Sequence, residues 1–205
     1  MYNKVGDSMK RFCEVCVYET IKSTTVKHEK GSYIFHEGDP LTDIYMVKTG
    51  FIKVSRLYAS GEEKVFDIVG PHDFLALLLV LQEKDFYQAS AYALTDVTLN
   101  KSSKKDALVA YNSNKTFKDA CIDCASMRAN IFQNQLFQVA NTSTDEKILG
   151  VLGHLYQKFG SYKNNQHQLY LPITKTDLAN IIGIRRETLS RKLSELEKKG
   201  VIDIN

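Results

Sequence analysis

The sequence predicts an α+β protein with an N-terminal antiparallel barrel or jelly roll, a long helix and a C-terminal helix-turn-helix. Three patterns support this prediction: strand-like runs separated by glycine, apolar residues at helical spacing from Phe117 onward, and two short amphipathic segments joined by Gly183. A chain of 205 residues can bury one large core and a second, smaller one. We expect domains at residues 1–112, 113–143 and 144–205.

The predicted barrel lies between Lys30 and Leu99. Its β-branched and aromatic runs occupy residues 33–35, 43–47, 51–55, 64–69, 87–93 and 96–99. The glycines that separate these runs are Gly31, Gly38, Gly50, Gly61 and Gly70. Glycine accepts the positive φ that tight turns between strands need. Many short strands with glycine turns are typical of an antiparallel barrel or jelly roll.

The long helix is predicted because apolar residues recur every three or four positions after Phe117. They form one stripe of Ala120, Cys124, Met127 and Ile131, and a second of Phe132, Leu136 and Val139. No proline interrupts residues 101–171, so a helix of about two dozen residues, roughly 36 Å long, fits here. We expect one stripe to face the barrel and the other to face the same helix of a second subunit. A helix buried wholly within one chain is the alternative.

The segment after the long helix reads as one more helix and a strand. Thr144 is expected to begin a helix that ends near residue 159. A polar loop over residues 160–166 and a strand-like segment over residues 167–172 are expected to follow.

The helix-turn-helix is predicted between Thr174 and Glu197. Leu178 and Ile182 give the first helix a buried face, and Gly183 provides the turn. The second helix is expected to bury Ile184, Leu189, Leu193 and Leu196. Lys192 departs from this pattern, since an apolar residue usually stands there.

The outer face of the second helix carries groups that can read DNA bases. With the leucines inward, Arg186 and Ser190 lie one turn apart, as do Glu187 and Arg191, and Arg185 precedes them. Arginine pairs with guanine in the major groove, and glutamate accepts from cytosine. The start of the first helix, at Thr174, Lys175 and Thr176, can hold a phosphate. A solvated, ion-paired helix face is the alternative.

The excess positive charge of the chain lies in its C-terminal part, as expected if that part binds a polyanion. Residues 145–205 carry 10 lysines and arginines against 7 acids, whereas residues 1–144 carry 17 of each. The whole net charge of +3 therefore lies in the last segment.

Two parts of the chain resemble the Crp/Fnr family of regulators. Residues 31–54 look like the family's double-stranded β-helix, and residues 186–191 with 196–202 look like its recognition helix and the start of its wing. The resemblance implies a jelly-roll sensor barrel, a long dimerisation helix and a winged helix-turn-helix. It also implies a homodimer that binds double-stranded DNA, with RNA polymerase as a partner if transcription is activated. Glu187, Ser190 and Arg191 are similar to the Fnr branch, which implies a palindrome with TTGAT-like half-sites.

The same resemblance argues against cyclic AMP as the effector. Cyclic-nucleotide binders of the family carry Gly-Glu-Leu and then Arg-Ser or Arg-Thr, which hold the ribose and the phosphate. Residues 76–78 and 87–89 stand in their place and read Ala-Leu-Leu and Tyr-Gln-Ala. An apolar wall cannot balance a buried phosphate charge.

Four cysteines are candidate sensor residues. They form two Cys-x-x-Cys pairs, Cys13 with Cys16 and Cys121 with Cys124. Such pairs can be inert thiols, a disulfide or thiol switch, or a site for zinc or an iron-sulfur cluster. Fnr-type clusters are similar only in part, because they take three cysteines from the N-terminal segment and one from a strand before the long helix.

Two other functions compete with the regulator. A cupin-like metalloenzyme could use His36, Glu37 and His72, although no His-x-His pair stands on one strand. A regulatory or structural protein that has lost DNA binding would explain Lys192 and the short segment from Gly200 to Asn205. The regulator is not expected to be an enzyme. Without an apolar run of about 18 residues or an apolar export segment, we expect a cytoplasmic protein with no membrane partner.

Overall fold

The computed structural model describes residues 21–141 and 143–203, with side chains for all of these except residues 127, 130–132 and 134–141. Its N-terminal half is a jelly roll of two four-stranded antiparallel sheets, with strand orders β1-β8-β3-β6 and β2-β7-β4-β5. The strands are β1 Thr24–His28, β2 Tyr33–Phe35, β3 Asp43–Thr49, β4 Ile52–Leu57, β5 Glu63–Val69, β6 Phe74–Leu75, β7 Ser90–Ala93 and β8 Val97–Ser103. The predicted α+β class and jelly roll are confirmed. β1 and β6 were not predicted.

The two sheets enclose a core of fully buried aliphatic side chains, among them Val47, Ile52 and Leu99. The turn between β3 and β4 depends on Gly50, which has a φ of 88°. A Cβ atom there would lie 2.4 Å from the carbonyl oxygen of Asp96, so only glycine fits.

The second half of the chain is mainly helical. The helices are α1 Leu77–Leu81, α2 Lys104–Ser113, α3 Lys115–Asn141, α4 Thr144–Phe159, α5 Lys175–Ile182 and α6 Arg186–Lys198. Strands β9 Ser161–Lys163 and β10 Gln166–Gln168 form a hairpin between α4 and α5. The predicted loop over residues 160–166 is therefore wrong in part, because it contains β9, and the strand predicted over 167–172 ends early. α1 and α2 were not predicted. None of the described helices is both long and apolar enough to cross a membrane.

The start of α4 differs by one residue from the prediction. Ser143, and not Thr144, is the N-cap, since its hydroxyl accepts from the Glu146 amide at 3.3 Å. The Glu146 carboxylate in turn accepts a hydrogen bond from the Ser143 amide at 2.7 Å, which completes a capping box. These bonds to Ser143 lower the pKa of Glu146.

α3 packs on the barrel through its first turns. Phe117 and Cys121 are buried, at 0% and 2% exposure, and Ala120 is buried beside them. Cys124, in the same predicted stripe as Ala120, is only half-buried, and Cys121, which belongs to neither predicted stripe, faces the barrel core. The remaining members of both predicted stripes lie outside the described side chains.

The C-terminal helices have their own core and also dock on the barrel. Ile148 and Leu189 lie at the centre of the cluster formed by α4, α5 and α6. A separate cluster joins Val65 and Ile68 of β5 to Leu155 of α4 and includes part of α5. The helix-turn-helix is therefore held against the outside of one barrel sheet.

Candidate nucleic-acid interface

The helix-turn-helix is fixed by its caps. Thr174 caps α5 by accepting from the Asp177 amide at 3.0 Å, and the Asp177 carboxylate accepts from the Thr174 amide at 3.0 Å. α5 ends at Gly183, whose φ of 80° turns the chain towards α6. Arg185 is the N-cap residue of α6, although its side chain makes no capping bond.

α6 presents the predicted reading groups on its outer face. Its inner face buries Leu189, Leu193 and Leu196. The opposite face leaves Arg185, Arg186, Glu187 and Arg191 exposed and Ser190 half-buried. The structure thus brings these five side chains to one end and one side of the second helix, open to solvent.

Lys192 is explained by an ion pair that the sequence did not reveal. Its ammonium lies 2.9 Å from Asp145 of α4 and 3.0 Å from Glu195 of its own helix. Hydrogen bonds that Lys192 donates to Asp145 and Glu195 raise its pKa. Arg191 lies 3.6 Å from Glu195, but 67% of its side chain is exposed. Its guanidinium therefore remains accessible to a ligand in solvent. The polar residue at position 192 therefore ties α6 to α4 in place of an apolar contact.

The start of α5 is linked to the barrel. Lys53 of β4 lies 3.0 Å from Asp177 and 2.9 Å from Glu63 of β5, and both Lys53 and Asp177 are largely buried. Burial alone would raise the pKa of Asp177, but bonds from Thr174 and Lys53 outweigh it and lower the pKa. Thr174, Lys175 and Thr176 are exposed at this helix end, where a carboxylate already stands.

A second ionic link joins α4 to the barrel. The Lys158 ammonium lies 3.1 Å from Asp67 of β5 and 3.0 Å from Asp73, and it donates to the carbonyl of Ile68 at 2.7 Å. Only 7% of the Lys158 side chain is exposed. Sequence reasoning missed these links because each joins residues far apart in the chain.

The barrel wall at the cyclic-nucleotide positions is apolar. Ala76 adopts a left-handed conformation with a φ of 65°, where the resembling family has glycine. Leu77 is buried in the place of the glutamate. Tyr87 is also buried, stacked on Phe35 at a ring distance of 3.8 Å, and its hydroxyl donates to the carbonyl of Asp43. These residues offer no charge for a nucleotide phosphate.

The described cysteines differ in exposure. Burial, with a smaller contribution from Cys124, raises the pKa of the Cys121 thiol to about 12. Cys124 is half-buried, and neither thiol is in a disulfide. Cys13 and Cys16 lie outside the described residues. No three histidine, cysteine, aspartate or glutamate side chains form a metal-holding group within residues 21–141 and 143–203.

Alkylation should distinguish the two cysteines of α3. In the folded protein at about pH 8, iodoacetamide should modify Cys124 at least about tenfold faster than Cys121, because the buried thiol forms almost no thiolate. Peptide mass mapping over time measures both rates. In urea the two rates should converge, and equal rates in the folded protein would contradict the burial of Cys121.

The residues of the cupin-like alternative are engaged elsewhere or dispersed. Glu37 binds the Arg56 guanidinium at 2.6 Å. His36 stands in an exposed turn after β2, and His72 lies in the turn between β5 and β6. The geometry does not favour a metalloenzyme.

Comparisons with protein families match both halves of the chain. Residues 25–114 match the cyclic nucleotide-binding domain, and residues 146–205 match the Crp-like helix-turn-helix domain. An anaerobic regulatory protein of Bacillus subtilis (strain 168) is 26% identical over 194 residues, which cover 92% of this chain and 80% of that protein. A CRP-like cAMP-activated global transcriptional regulator of Mycobacterium tuberculosis is 24% identical, with 86% and 79% covered.

Solved structures share the fold over most of the chain. FixK2 from Bradyrhizobium japonicum has a TM-score of 0.79 at 17% identity, with 90% of this chain and 89% of that chain covered. The global regulator CLP of Xanthomonas campestris has a TM-score of 0.73 at 18% identity, with 97% and 95% covered.

Proposed function

We propose that this chain, which belongs to the Crp/Fnr family of transcription regulators, binds a palindromic DNA site as a homodimer and reads TTGAT-like half-sites. The observation that carries the proposal is the open face of α6, with Arg186, Glu187, Ser190 and Arg191. In the major groove, the two arginines would donate to guanine and Glu187 would accept from the cytosine amino group. Such a regulator would act in the cytoplasm, would not be an enzyme, and would meet RNA polymerase if it activates transcription.

We propose that the second subunit packs against the exposed side of α3, a face that contains no residue of the two stripes predicted from the sequence. Ile122 is 50% exposed there. Ser126, Ala129 and Gln133 follow it at intervals of three and four residues and are also exposed. Small side chains allow two helices to approach closely, and the opposite side of α3 is occupied by the barrel. Sedimentation equilibrium should give twice the chain mass of 23.3 kDa.

Replacing the reading groups should weaken discrimination between cognate and scrambled DNA. Glu187→Ala and Arg191→Ala should each cost about 1–3 kcal/mol of binding free energy on a TTGAT palindrome and much less on a scrambled duplex. Fluorescence anisotropy at a fixed salt concentration measures both affinities for each variant.

Two variants with matched charges serve as controls. Glu62→Ala in the turn between β4 and β5, and Lys198→Ala at the end of α6, remove exposed charges away from the reading groups. Both should bind the palindrome nearly as wild type does. An equal loss on cognate and scrambled DNA for Glu187→Ala would contradict its role in reading bases.

We propose that the effector is not cyclic AMP. Leu77 and Tyr87 support this, since both are buried apolar residues at or beside the positions where cyclic-nucleotide binders carry charge. Two sensing modes stay open, a thiol, zinc or iron-sulfur switch at Cys13, Cys16, Cys121 and Cys124, or an unidentified small ligand. Iron, zinc and sulfide analysis of anaerobically purified protein, with DNA affinity measured reduced and oxidised, distinguishes them.

A further inference from the structure

The barrel places a cation directly beside the turn of the helix-turn-helix. Lys64 lies in β5, the strand that contacts α5. Its ammonium nitrogen is 3.2 Å from the point that a Cβ atom on Gly183 would occupy. Gly183 is two residues before Arg185, where the recognition helix begins. A positive charge from the barrel therefore lies next to the N-terminal end of α6, where the proposed DNA-reading residues begin.

This lysine differs from the others at the junction between the barrel and the helices. Lys53 is held by Asp177 and Glu63, and Lys158 is held by Asp67 and Asp73. Those ammonium groups have structural partners and are largely buried.

Among the described residues, by contrast, no carboxylate lies within ion-pair distance of Lys64. The same holds for Arg185 and Arg186. Lys64 and these two arginines therefore all lie near the turn between α5 and α6. Lys64 is only half-buried, so its ammonium beside Gly183 can contact an anion that binds at this turn.

We propose that Lys64 contacts a DNA phosphate, so that the barrel forms part of the DNA interface; the inference rests on the proposed DNA-binding function. The turn before a recognition helix runs beside the sugar-phosphate backbone when the helix lies in the major groove. A lysine ammonium there neutralises one phosphate and releases its counterions. The contact would exist only while the helix-turn-helix is docked on β5, so DNA affinity would depend on the position of the barrel.

The test is the salt dependence of DNA binding by the full chain. For Lys64→Gln, the slope of log Kobs against log salt should become less steep by about 0.9 per subunit, or about 1.8 for a dimer. Affinity should fall by the same factor on the TTGAT palindrome and on a scrambled duplex, because a phosphate contact carries no sequence information. Lys64→Arg should keep the wild-type slope, which separates loss of charge from a folding defect.

Lys27→Gln is the matched control, since Lys27 is an exposed lysine in β1 of the other sheet. Its slope should equal that of the wild type. If the wild type binds the palindrome and Lys64→Gln keeps the wild-type slope, the inference is overturned while the proposed function stands. If the wild type binds neither duplex, the proposed function fails and the inference fails with it.

Discussion

Lys158→Met should lower the free energy of unfolding by about 3 kcal/mol, because it removes the ammonium that two carboxylates at the domain junction bind. This is the lower end of the range for a broken buried ion pair, since the buried Arg128 guanidinium still faces Asp67 and Asp73. Asp67 and Asp73 both lie within 3.1 Å of the Lys158 ammonium, whose side chain is 7% exposed. Methionine keeps most of the packing of the lysine stem, so the lost ion pairs dominate the change. Urea denaturation at neutral pH measures the difference from wild type.

The pH dependence of this effect follows from the pKa of Lys158. Burial alone would lower that pKa, but Asp67 and Asp73 outweigh burial and raise it above the ordinary lysine value. A raised pKa means that the stabilisation is complete below the ordinary pKa and is lost only as pH rises through the raised one. The difference between variant and wild type should therefore stay constant from about pH 7 to 9.

Lys147→Met is the matched control for this prediction. Lys147 lies on the same helix, α4, and is half-buried, and the described residues give it no ion pair. Its replacement should change stability by no more than about 0.5 kcal/mol. Adding Asp67→Asn to Lys158→Met should restore part of the loss, because one of the two carboxylates is then neutral while Asp73 still balances the buried Arg128. Equal stabilities for the Lys147 and Lys158 variants would contradict the role of the junction pair.

Ionic links of this kind are the part of the site that the sequence could not reveal. Lys158 and Asp67 are 91 residues apart, and Lys53 and Asp177 are 124 apart. Sequence periodicity identifies residues that share one face of a helix or of a strand. It carries no information on which distant strand a helix will contact. Nothing local in the sequence therefore distinguishes Lys53 or Lys158 from a solvated lysine.

The exposed face of α6, which we propose reads DNA, was predictable because its determinants are local. The leucines of α6 recur every three or four residues, and Gly183 supplies the positive φ of the turn. Once those leucines point inward, helical geometry alone exposes Arg186 and leaves Ser190 half-buried one turn further along the helix. Lys192 was the exception, since its partner Asp145 belongs to another helix.

Some elements were missed although local signals were present. Asn164 and Asn165 both have positive φ and connect β9 to β10 in a two-residue turn, since Lys163 pairs with Gln166. Paired asparagines favour that turn, so the hairpin could have been predicted. α1 was harder, because its five residues are all apolar and show no helical periodicity.

Phe117→Ala should lower the free energy of unfolding by about 3–5 kcal/mol, since this side chain is the largest of the fully buried ones among the described residues. It lies in the first turn of α3 and packs into the barrel core with Cys121. Val109→Ala, at a 56% exposed position of α2, is the control and should cost well under 1 kcal/mol. Urea denaturation measures both variants.

The position of Phe117 also gives the prediction a functional consequence. The same helix that Phe117 anchors carries the proposed dimer face at Ile122, Ser126, Ala129 and Gln133. A cavity beneath the first turn should loosen α3 from the barrel and weaken dimerisation together with stability, so the dimer dissociation constant should rise for Phe117→Ala and not for Val109→Ala. Equal stability of Phe117→Ala and Val109→Ala would contradict the proposed contribution of Phe117 to holding α3 on the barrel.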